Sequence, residues 1–425
     1  MYWLYSALLC LAMVATLPYW LWQMVQKGKY RAGLRQRLGK VPSRLAAQQR
    51  SPCIWVHAVS VGEVIAVTPL VENLKQQFPG NRVVISTVTD TGQKLARSRF
   101  GEDVFYLPLD FEFAIRPYLK RLQPKLVIIA ETELWPNFLR LARNSGARIA
   151  VVNARISDRS IRGYLRVRPL LRNVLSNVDL FLTQTWEDRK RLVEIGAADE
   201  KVKVTGNLKF DAALPAEPPI VASLRAALAQ AGARPVLVCG STVEGEEPLL
   251  LRAFENVRAS LPRAVMILAP RHPERFAEVA QLLDRLDIPF RRRSLWNGEP
   301  LGGGVLLLDT IGELAALYGL ADVAFVGGSL VPRGGHNILE PAQHGAAIVV
   351  GNHTENFRDI IWLFQQNDAV RIVGPAELPL VFMELLSNDE ERAALGRRAA
   401  ETLKLQIGAT ERTLEALAGL MKESS

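Results

Sequence analysis

Residues 323–345, VAFVGGSLVPRGGHNILEPAQHG, carry the reading of the whole chain. Val323 to Val326 form a continuous apolar run, the mark of a short strand buried on both faces. Gly327, Gly328, Gly334 and Gly335 then let the backbone turn sharply and approach a ligand closely. A helix expected to begin near Asn337 points unpaired N–H groups and its positive dipole end at that space, which suits an anion such as phosphate. Glu340, expected about one turn inside that helix, suits the hydroxyls of a neighbouring sugar rather than the phosphate. The stretch reads as a strand and a nucleotide cradle in series. A glycine-rich connection with a capped helix is the plain structural alternative.

Outward from this segment, short apolar runs alternate with helical patterns, which predicts βαβ units and parallel sheets. In the first half the strand candidates are residues 53–56, 83–86, 104–107, 126–129, 149–152, 180–182 and 202–204. A stretch with Pro215, Pro218 and Pro219 follows and reads as a linker. The second set is 236–239, 265–268, 305–308, 323–326, 348–350 and 370–372. The fold class expected is α/β, with two doubly wound Rossmann-like domains facing each other across a cleft. The boundaries expected are a first domain over 51–213, a linker and first helix over 214–235, and a second domain over 236–395. A C-terminal helix over 396–425 is expected to pack across both.

A chain of 425 residues is too long for one ordinary core. Hydrophobic residues at 49% and charged residues at 22% describe a folded protein. Cys10, Cys53 and Cys239 are scattered and odd in number, so no disulfide framework is implied and a reducing cytosolic setting fits. His57, His272, His336, His344 and His353 form no pair at ligand spacing, which argues against a zinc site.

The net charge of +9 is concentrated in residues 27–50, which hold eight basic residues and no acid. That concentration argues against an extended nucleic-acid surface and for a local contact with anionic membrane lipid. Residues 1–26 have no charged side chain and, as a helix, are long enough to cross a hydrocarbon layer about 30 Å thick. Tyr2, Trp3 and Tyr5 open the segment and Tyr19, Trp20 and Trp22 close it, as aromatic belts would. The basic residues that follow place the rest of the chain on the cytoplasmic side. A cleaved signal peptide would have a basic start, which is missing here, and Cys10 follows Leu9 rather than a small residue. The alternative is an anchor that bends at Pro18 and never spans.

Several candidate residues fall where strands end. Glu63, in His57-Ala58-Val59-Ser60-Val61-Gly62-Glu63, is expected at a helix start, held ionised by the dipole and available as a base. Its structural alternative is an ordinary N-terminal helix charge. Glu131 ends the run 126–130 and should face the cleft, whereas Glu133 suits a first-turn capping role. Lys209 follows the last strand of the first domain, where it could reach an anion or be an ordinary solvated lysine. In the second domain, Arg271 after Pro270 could clamp a phosphate through its planar fork, and Ile311, Gly312 and Glu313 begin another helix. No Asp-X-Asp pair occurs, which removes the usual carboxylate pair for holding a metal on a diphosphate. A serine-hydrolase elbow and a Walker A loop are also absent.

Taken together, the motifs at residues 57–63, 131–137, 153–155, 205–211, 269–273 and 334–341, behind an N-terminal anchor, resemble the 3-deoxy-D-manno-octulosonic acid (Kdo) transferases of lipopolysaccharide inner-core assembly. The resemblance implies the two-domain architecture called GT-B and an inverting, metal-independent transfer of Kdo from CMP-Kdo to the lipid A precursor (lipid IVA). It implies Glu63 as general base and Glu131 and Lys209 as transition-state stabilisers. It also implies a CMP site of Pro270, Arg271, Ile311, Gly312, Glu313, Asn337, Ile338, Leu339 and Glu340, with Glu340 accepting from the ribose. No cofactor, no metal and no nucleic acid are expected. The expected partners are CMP-Kdo, the lipid A precursor and anionic lipid, at the cytoplasmic face of a bacterial inner membrane. The rival readings are a lipid-linked sugar transferase using a UDP-hexose, a nucleotide-sugar epimerase on the same fold, and a peripheral membrane scaffold.

Overall fold

The computed structural model describes residues 1–27, 31–46, 52–212 and 217–422. The chain forms two compact units, one of Met1–Ala212 together with the chain from Gln406 on, the other of Ala213–Leu405.

The first unit is built on β1 (Cys53–His57), β2 (Arg82–Thr87), β3 (Val104–Tyr106), β4 (Pro124–Ala130), β5 (Arg148–Ala154), β6 (Leu180–Thr183) and β7 (Val202–Val204). All pairings are parallel, in the order β3-β2-β1-β4-β5-β6-β7. The central strands are buried along their length, which is why they read as unbroken apolar runs. One face gathers Trp55, Phe105, Tyr118 and Phe138, with Trp55 4.8 Å from Phe138 and Phe105 stacked on Tyr118 at 5.0 Å between ring centroids. Such pairs add about 0.5–1.5 kcal/mol each beyond their buried area. The other face packs Ile54, Val56 and Val152 with Val67 and Leu70 from the helix Val61–Gln77 and Leu417 from the helix Ala409–Lys422.

The second unit holds β8 (Val236–Thr242), β9 (Val265–Pro270), β10 (Phe290–Arg292), β11 (Gly304–Leu307), β12 (Val323–Val326), β13 (Ala347–Val350) and β14 (Arg371–Ile372). Its order is β10-β11-β9-β8-β12-β13-β14, again with parallel pairing. Both sheets reverse direction once, between β1 and β4 and between β8 and β12. At such a switch point the loops after the two strands diverge and leave room for a ligand.

Two doubly wound units match the expectation from sequence, with two differences in detail. β10 was not foreseen: an edge strand reading Phe-Arg-Arg, with no residue buried, carries no apolar run. In place of one C-terminal helix over 396–425 there are two, Asp389–Lys404 and Ala409–Lys422, separated at Gly408 with φ +101°. Asp211 accepts the N–H groups of Gly408 and Thr410, which ties the start of the last helix to the first unit. Of the expected linker, residues 213–216 lie outside the described residues, and the helix Pro219–Gln230 follows.

The N-terminal helix Tyr2–Lys27 is exposed along its middle and is apolar and long enough to cross a membrane. Its first turns rest on the first unit. The Tyr2 hydroxyl donates to the Asn173 carbonyl at 3.2 Å and accepts from Asn177 Nδ2 at 3.0 Å, while Arg140 lies 4.8 Å from the Tyr2 ring centroid. Ser6 Oγ accepts from Asn137 Nδ2 at 2.9 Å. Past the helix, Gln36 Oε1 accepts the Tyr106 N–H at 3.0 Å and the Arg37 guanidinium lies 4.6 Å from the Tyr106 ring centroid. Arg44 donates to the carbonyls of Glu102 and Val104. Arg37 and Arg44, expected among the lipid-facing bases, are thus turned toward protein, because carbonyls and an aromatic face lie within reach. Arg31, Arg35 and Lys40 are exposed, and Lys29 and Arg50 lie outside the described residues.

Candidate functional site

At the β1/β4 switch of the first unit, β1 ends at His57 and Ser60 caps the helix Val61–Gln77. The spacing Ser60-Val61-Gly62-Glu63 folds back on itself. Ser60 Oγ accepts the Glu63 N–H at 3.4 Å and donates to Glu63 Oε1 at 2.8 Å, and Glu63 Oε2 accepts the Val59 N–H at 2.8 Å. This reciprocal capping fixes the carboxylate in one place. Burial pushes the Glu63 carboxyl up to about 7; the Val59 N–H and Ser60 hydroxyl pull it down, and Glu131 and Glu133 add to the rise. The expectation that the helix dipole holds Glu63 fully ionised is corrected, since desolvation outweighs the donors. A carboxyl poised near neutrality is well matched to general-base work.

Glu131 follows β4 with φ +55°, a left-handed conformation that costs an L-residue energy and so clusters at working sites. Its N–H donates to the Val152 carbonyl at 2.9 Å, and its Oε1 meets Lys209 Nζ at 3.0 Å. Lys209 comes from the turn Leu208–Asp211, beyond β7. Both side chains are about a quarter exposed, 25% and 22%, so the pair is worth little to stability, about 0–1 kcal/mol, and its importance is positional. Glu133 is raised by burial and by Glu131. Glu63, Glu131, Glu133 and Lys209, drawn from three separate strand ends, form one electrostatically linked group. His57 is fully buried with Nδ1 2.9 Å from Ser86 Oγ, and burial lowers it to about 4, so it is a neutral core residue.

In the second unit the turn after β12 differs from its expected use. Glu246 is fully buried, and its carboxylate accepts the N–H groups of Gly328 at 2.7 Å, Ser329 and Leu330 at 2.9 Å and Val243 at 3.0 Å. The donors of residues 328–330 therefore hold an internal carboxylate rather than a ligand's phosphate. Glycine is required at 327 because a Cβ there would meet Ser241 O at 2.6 Å and Glu246 Oε2 at 2.8 Å. The sequence reading missed Glu246, which sits in the run Glu244-Gly245-Glu246-Glu247 and looks like solvated charge. The available signal was an acidic pair opening the helix Glu247–Ser260 just beyond β8, at the switch point.

The helix expected from Asn337 is Leu339–Gln343, two residues later and only five residues long. Glu340 thus lies in its first turn, not one turn inside. Asn337 shapes this start: its Oδ1 accepts the Leu339 N–H at 3.2 Å and its Nδ2 lies 3.5 Å from Glu340 Oε1. Burial raises the Glu340 carboxyl, against pulls from Asn337 and the Arg271 guanidinium. Burial, with Arg271 and His272 nearby, lowers His336 to about 4. Arg271, exposed just past β9, is anchored by its N–H to the Thr242 carbonyl at 2.9 Å. Arg271, His336, Asn337 and Glu340 are therefore brought together, with Pro270 buried as the end of β9. Ile338 and Leu339 are core side chains that offer only backbone.

Ile311, Gly312 and Glu313 form a turn tied elsewhere. Glu313 accepts from Arg293 Nη2 at 2.8 Å and from Thr310 Oγ1 at 2.6 Å, so its carboxylate serves the protein. Ile311 is exposed and Gly312 has φ +93°. Among the described residues no group of three His, Cys, Asp or Glu side chains is arranged to hold a metal ion.

Residues 32–212 match the family described as 3-Deoxy-D-manno-octulosonic-acid transferase (kdotransferase). The chain is 37% identical to the 3-deoxy-D-manno-octulosonic acid transferase of Haemophilus influenzae, covering 92% of each. It is 37% identical to the one of Bordetella pertussis, covering 94% of each, and 32% identical to that of Chlamydophila psittaci, covering 97% of this chain and 95% of the other. Among solved structures, a putative UDP-N-acetylglucosamine 2-epimerase from Listeria monocytogenes superposes with TM-score 0.60 at 15% identity, over 88% of this chain and 98% of the other. A glycosyltransferase from Rickettsia africae does so with TM-score 0.57 at 14% identity, over 88% and 99%. At such identities the likeness is one of fold.

Proposed function

The chain belongs to the 3-deoxy-D-manno-octulosonic acid (Kdo) transferase family, and from that premise we propose how its residues perform the transfer. It is a glycosyltransferase of lipopolysaccharide biosynthesis with a GT-B-type fold of two doubly wound units. Under this reading the donor is CMP-Kdo and the acceptor the lipid A precursor. Glu63 takes the proton of the acceptor hydroxyl as that oxygen bonds to the anomeric carbon of Kdo. The bond from that carbon to the phosphate oxygen breaks on the opposite face, CMP departs with the electron pair, and the configuration inverts. Lys209, oriented by Glu131, offers its ammonium to negative charge that grows along the way. The observation that carries the reading is the linked group of Glu63, Glu131 and Lys209, with Glu63 poised at about 7.

In the second unit, the Arg271 guanidinium is assigned to the CMP phosphate and Glu340 to the ribose hydroxyls. The turn 311–313 contributes backbone rather than the Glu313 carboxylate, which is already engaged. A single phosphate held by a guanidinium needs no bridging metal, and the missing Asp-X-Asp pair agrees with a metal-independent reaction. Incubation with CMP-Kdo and a tetraacylated lipid A precursor, followed by mass analysis of the lipid, tests donor and acceptor together. An added Kdo mass supports the reading. Hexose transfer from a UDP-sugar, or displacement of the donor by UDP rather than CMP, would replace it.

Arg271→Ala and Glu340→Ala should both weaken CMP binding, Arg271→Ala the more strongly, because a charge-assisted contact to phosphate is lost. Calorimetry with CMP checks this. Wild-type affinity in both variants would move the nucleotide elsewhere.

We assign the helix Tyr2–Lys27 to the inner membrane, with the catalytic units cytoplasmic. Its exposed apolar middle and the exposed bases Arg31, Arg35 and Lys40 support this. Removing residues 1–26 should abolish binding to neutral vesicles. Binding to anionic vesicles should persist at low salt, at about 1 kcal/mol per basic residue near the surface, and vanish as salt rises. Flotation with each vesicle type measures both, and undiminished binding to neutral vesicles would discard the anchor.

A further inference from the structure

Two non-glycine residues in the left-handed region sit on neighbouring strand ends of the first unit: Glu131 past β4 with φ +55° and Asn153 in β5 with φ +54°. Asparagine is among the residues that tolerate this conformation best. Asn153 is only 1% exposed, and its side chain is committed to a distant segment. Its Oδ1 accepts the Leu208 N–H at 3.0 Å, across 55 residues of sequence. Its own carbonyl accepts Gln184 Nε2 at 3.0 Å, which holds Asn153 from the β6 side.

Leu208 is buried, opens the turn Leu208–Asp211 and directly precedes Lys209. Inside that turn, Asn207 Oδ1 accepts the Lys209 N–H at 3.0 Å. The turn's far end is tied by Asp211 to Gly408 and Thr410. Its near end is tied to the sheet by Asn153. Glu131, the partner of Lys209, hangs its own N–H on the carbonyl of Val152 at 2.9 Å. Both members of the ion pair are therefore set from one dipeptide of β5: Glu131 through the Val152 carbonyl and the turn of Lys209 through Asn153 Oδ1.

We propose that Asn153 is a positioning residue, which fixes the Lys209 turn against β5 and so holds the Lys209 ammonium in register with Glu131. The inference rests on the reading of Lys209 as the group that meets developing charge. Asn153 touches no substrate in this role and acts through Lys209.

The test is a double-mutant cycle. Asn153→Gly preserves the left-handed backbone and removes the side chain, leaving the buried Leu208 N–H without its acceptor. The variant is therefore expected to fold but to melt below wild type, and kcat is read at a temperature where it is fully folded. In the wild-type background it should lower kcat about tenfold through displacement of the ammonium. KM for CMP-Kdo should stay within about twofold. In a Lys209→Ala background the same change should cost less than about twofold, because the group it positions is gone. Asn153→Asp keeps an acceptor oxygen and a tolerance for this backbone, and should restore kcat to within about threefold of wild type. Equal losses in the two backgrounds, an unaltered kcat in Asn153→Gly, or an Asn153→Asp variant as slow as Asn153→Gly would each overturn the proposal. If Lys209→Ala alone retains wild-type turnover, the role given to Lys209 falls, and with it the purpose assigned to Asn153. Multiplicative losses with an impaired Lys209→Ala enzyme sink the Asn153 proposal alone.

Discussion

A Glu63→Gln enzyme is expected to turn over at least about a hundredfold more slowly than wild type while binding CMP with nearly unchanged affinity. Glutamine keeps the size of the side chain, and its carbonyl oxygen can still accept from Val59 or Ser60, so the helix start survives. What it cannot do is take a proton. The same residue sets the pH dependence. The Glu63 carboxyl titrates near 7 because burial and the neighbouring carboxylates disfavour its charge. Only the ionised form is a base, so kcat/KM should fall as pH drops through about 7 and level off above it. Glu133→Gln removes one of the neighbouring negative charges and should move that acid limb to lower pH. Rapid-quench turnover and a pH profile of both variants check this. Substantial turnover in folded Glu63→Gln would refute the assignment.

Glu246→Ala should have the largest effect on stability. It would leave the N–H groups of Val243, Gly328, Ser329 and Leu330 without their acceptor in a buried place. At about 1–3 kcal/mol for each such group, even incomplete additivity gives a loss of several kcal/mol. The second unit should unfold at markedly lower urea, and the amides of residues 328–330 should lose their protection against hydrogen exchange. Glu246→Gln should fall between, since an amide oxygen still accepts while its NH₂ faces donors. Wild-type urea stability together with intact protection in Glu246→Ala would contradict the account.

These two residues mark how far the sequence could be read. Strands buried on both faces announce themselves as apolar runs, so Val323–Val326 and Pro124–Ala130 were legible, whereas the exposed edge Phe290–Arg292 was not. Glu63 was legible as a residue because a strand, a glycine-containing turn and a helix follow one another there, although the Ser60 cap that fixes it emerged only in the structure. Its protonation was not, since burial is a property of the assembled unit. Lys209 and Glu131 were visible only as separate strand ends, 78 residues apart. Glu246 reaches its loop donors across 82 to 84 residues, so the acidic pair at the helix start marks its place but not its partners. The helix begins at Leu339 rather than near Asn337 because the Asn337 side chain accepts the Leu339 N–H and so precedes the helix instead of joining it.

The first unit is discontinuous in the chain, and that has a consequence for its biosynthesis. Residues up to 212 leave the ribosome long before Ala409, Leu417 and Leu420, which cover one face of their sheet. Translation at about 5–20 residues per second makes the interval roughly 10–40 s, during which the contiguous second unit can close on itself. Throughout that time the nascent first unit exposes apolar surface to chaperones and proteases, and Asp211 lacks the amides it clasps. A nascent chain stalled before residue 406 would contain every residue assigned to proton removal and nucleotide binding, yet the turn carrying Lys209 would be unfinished. Completion of the turn that carries Lys209 is thereby tied to the synthesis of the helix Ala409–Lys422, which follows the whole of the second unit.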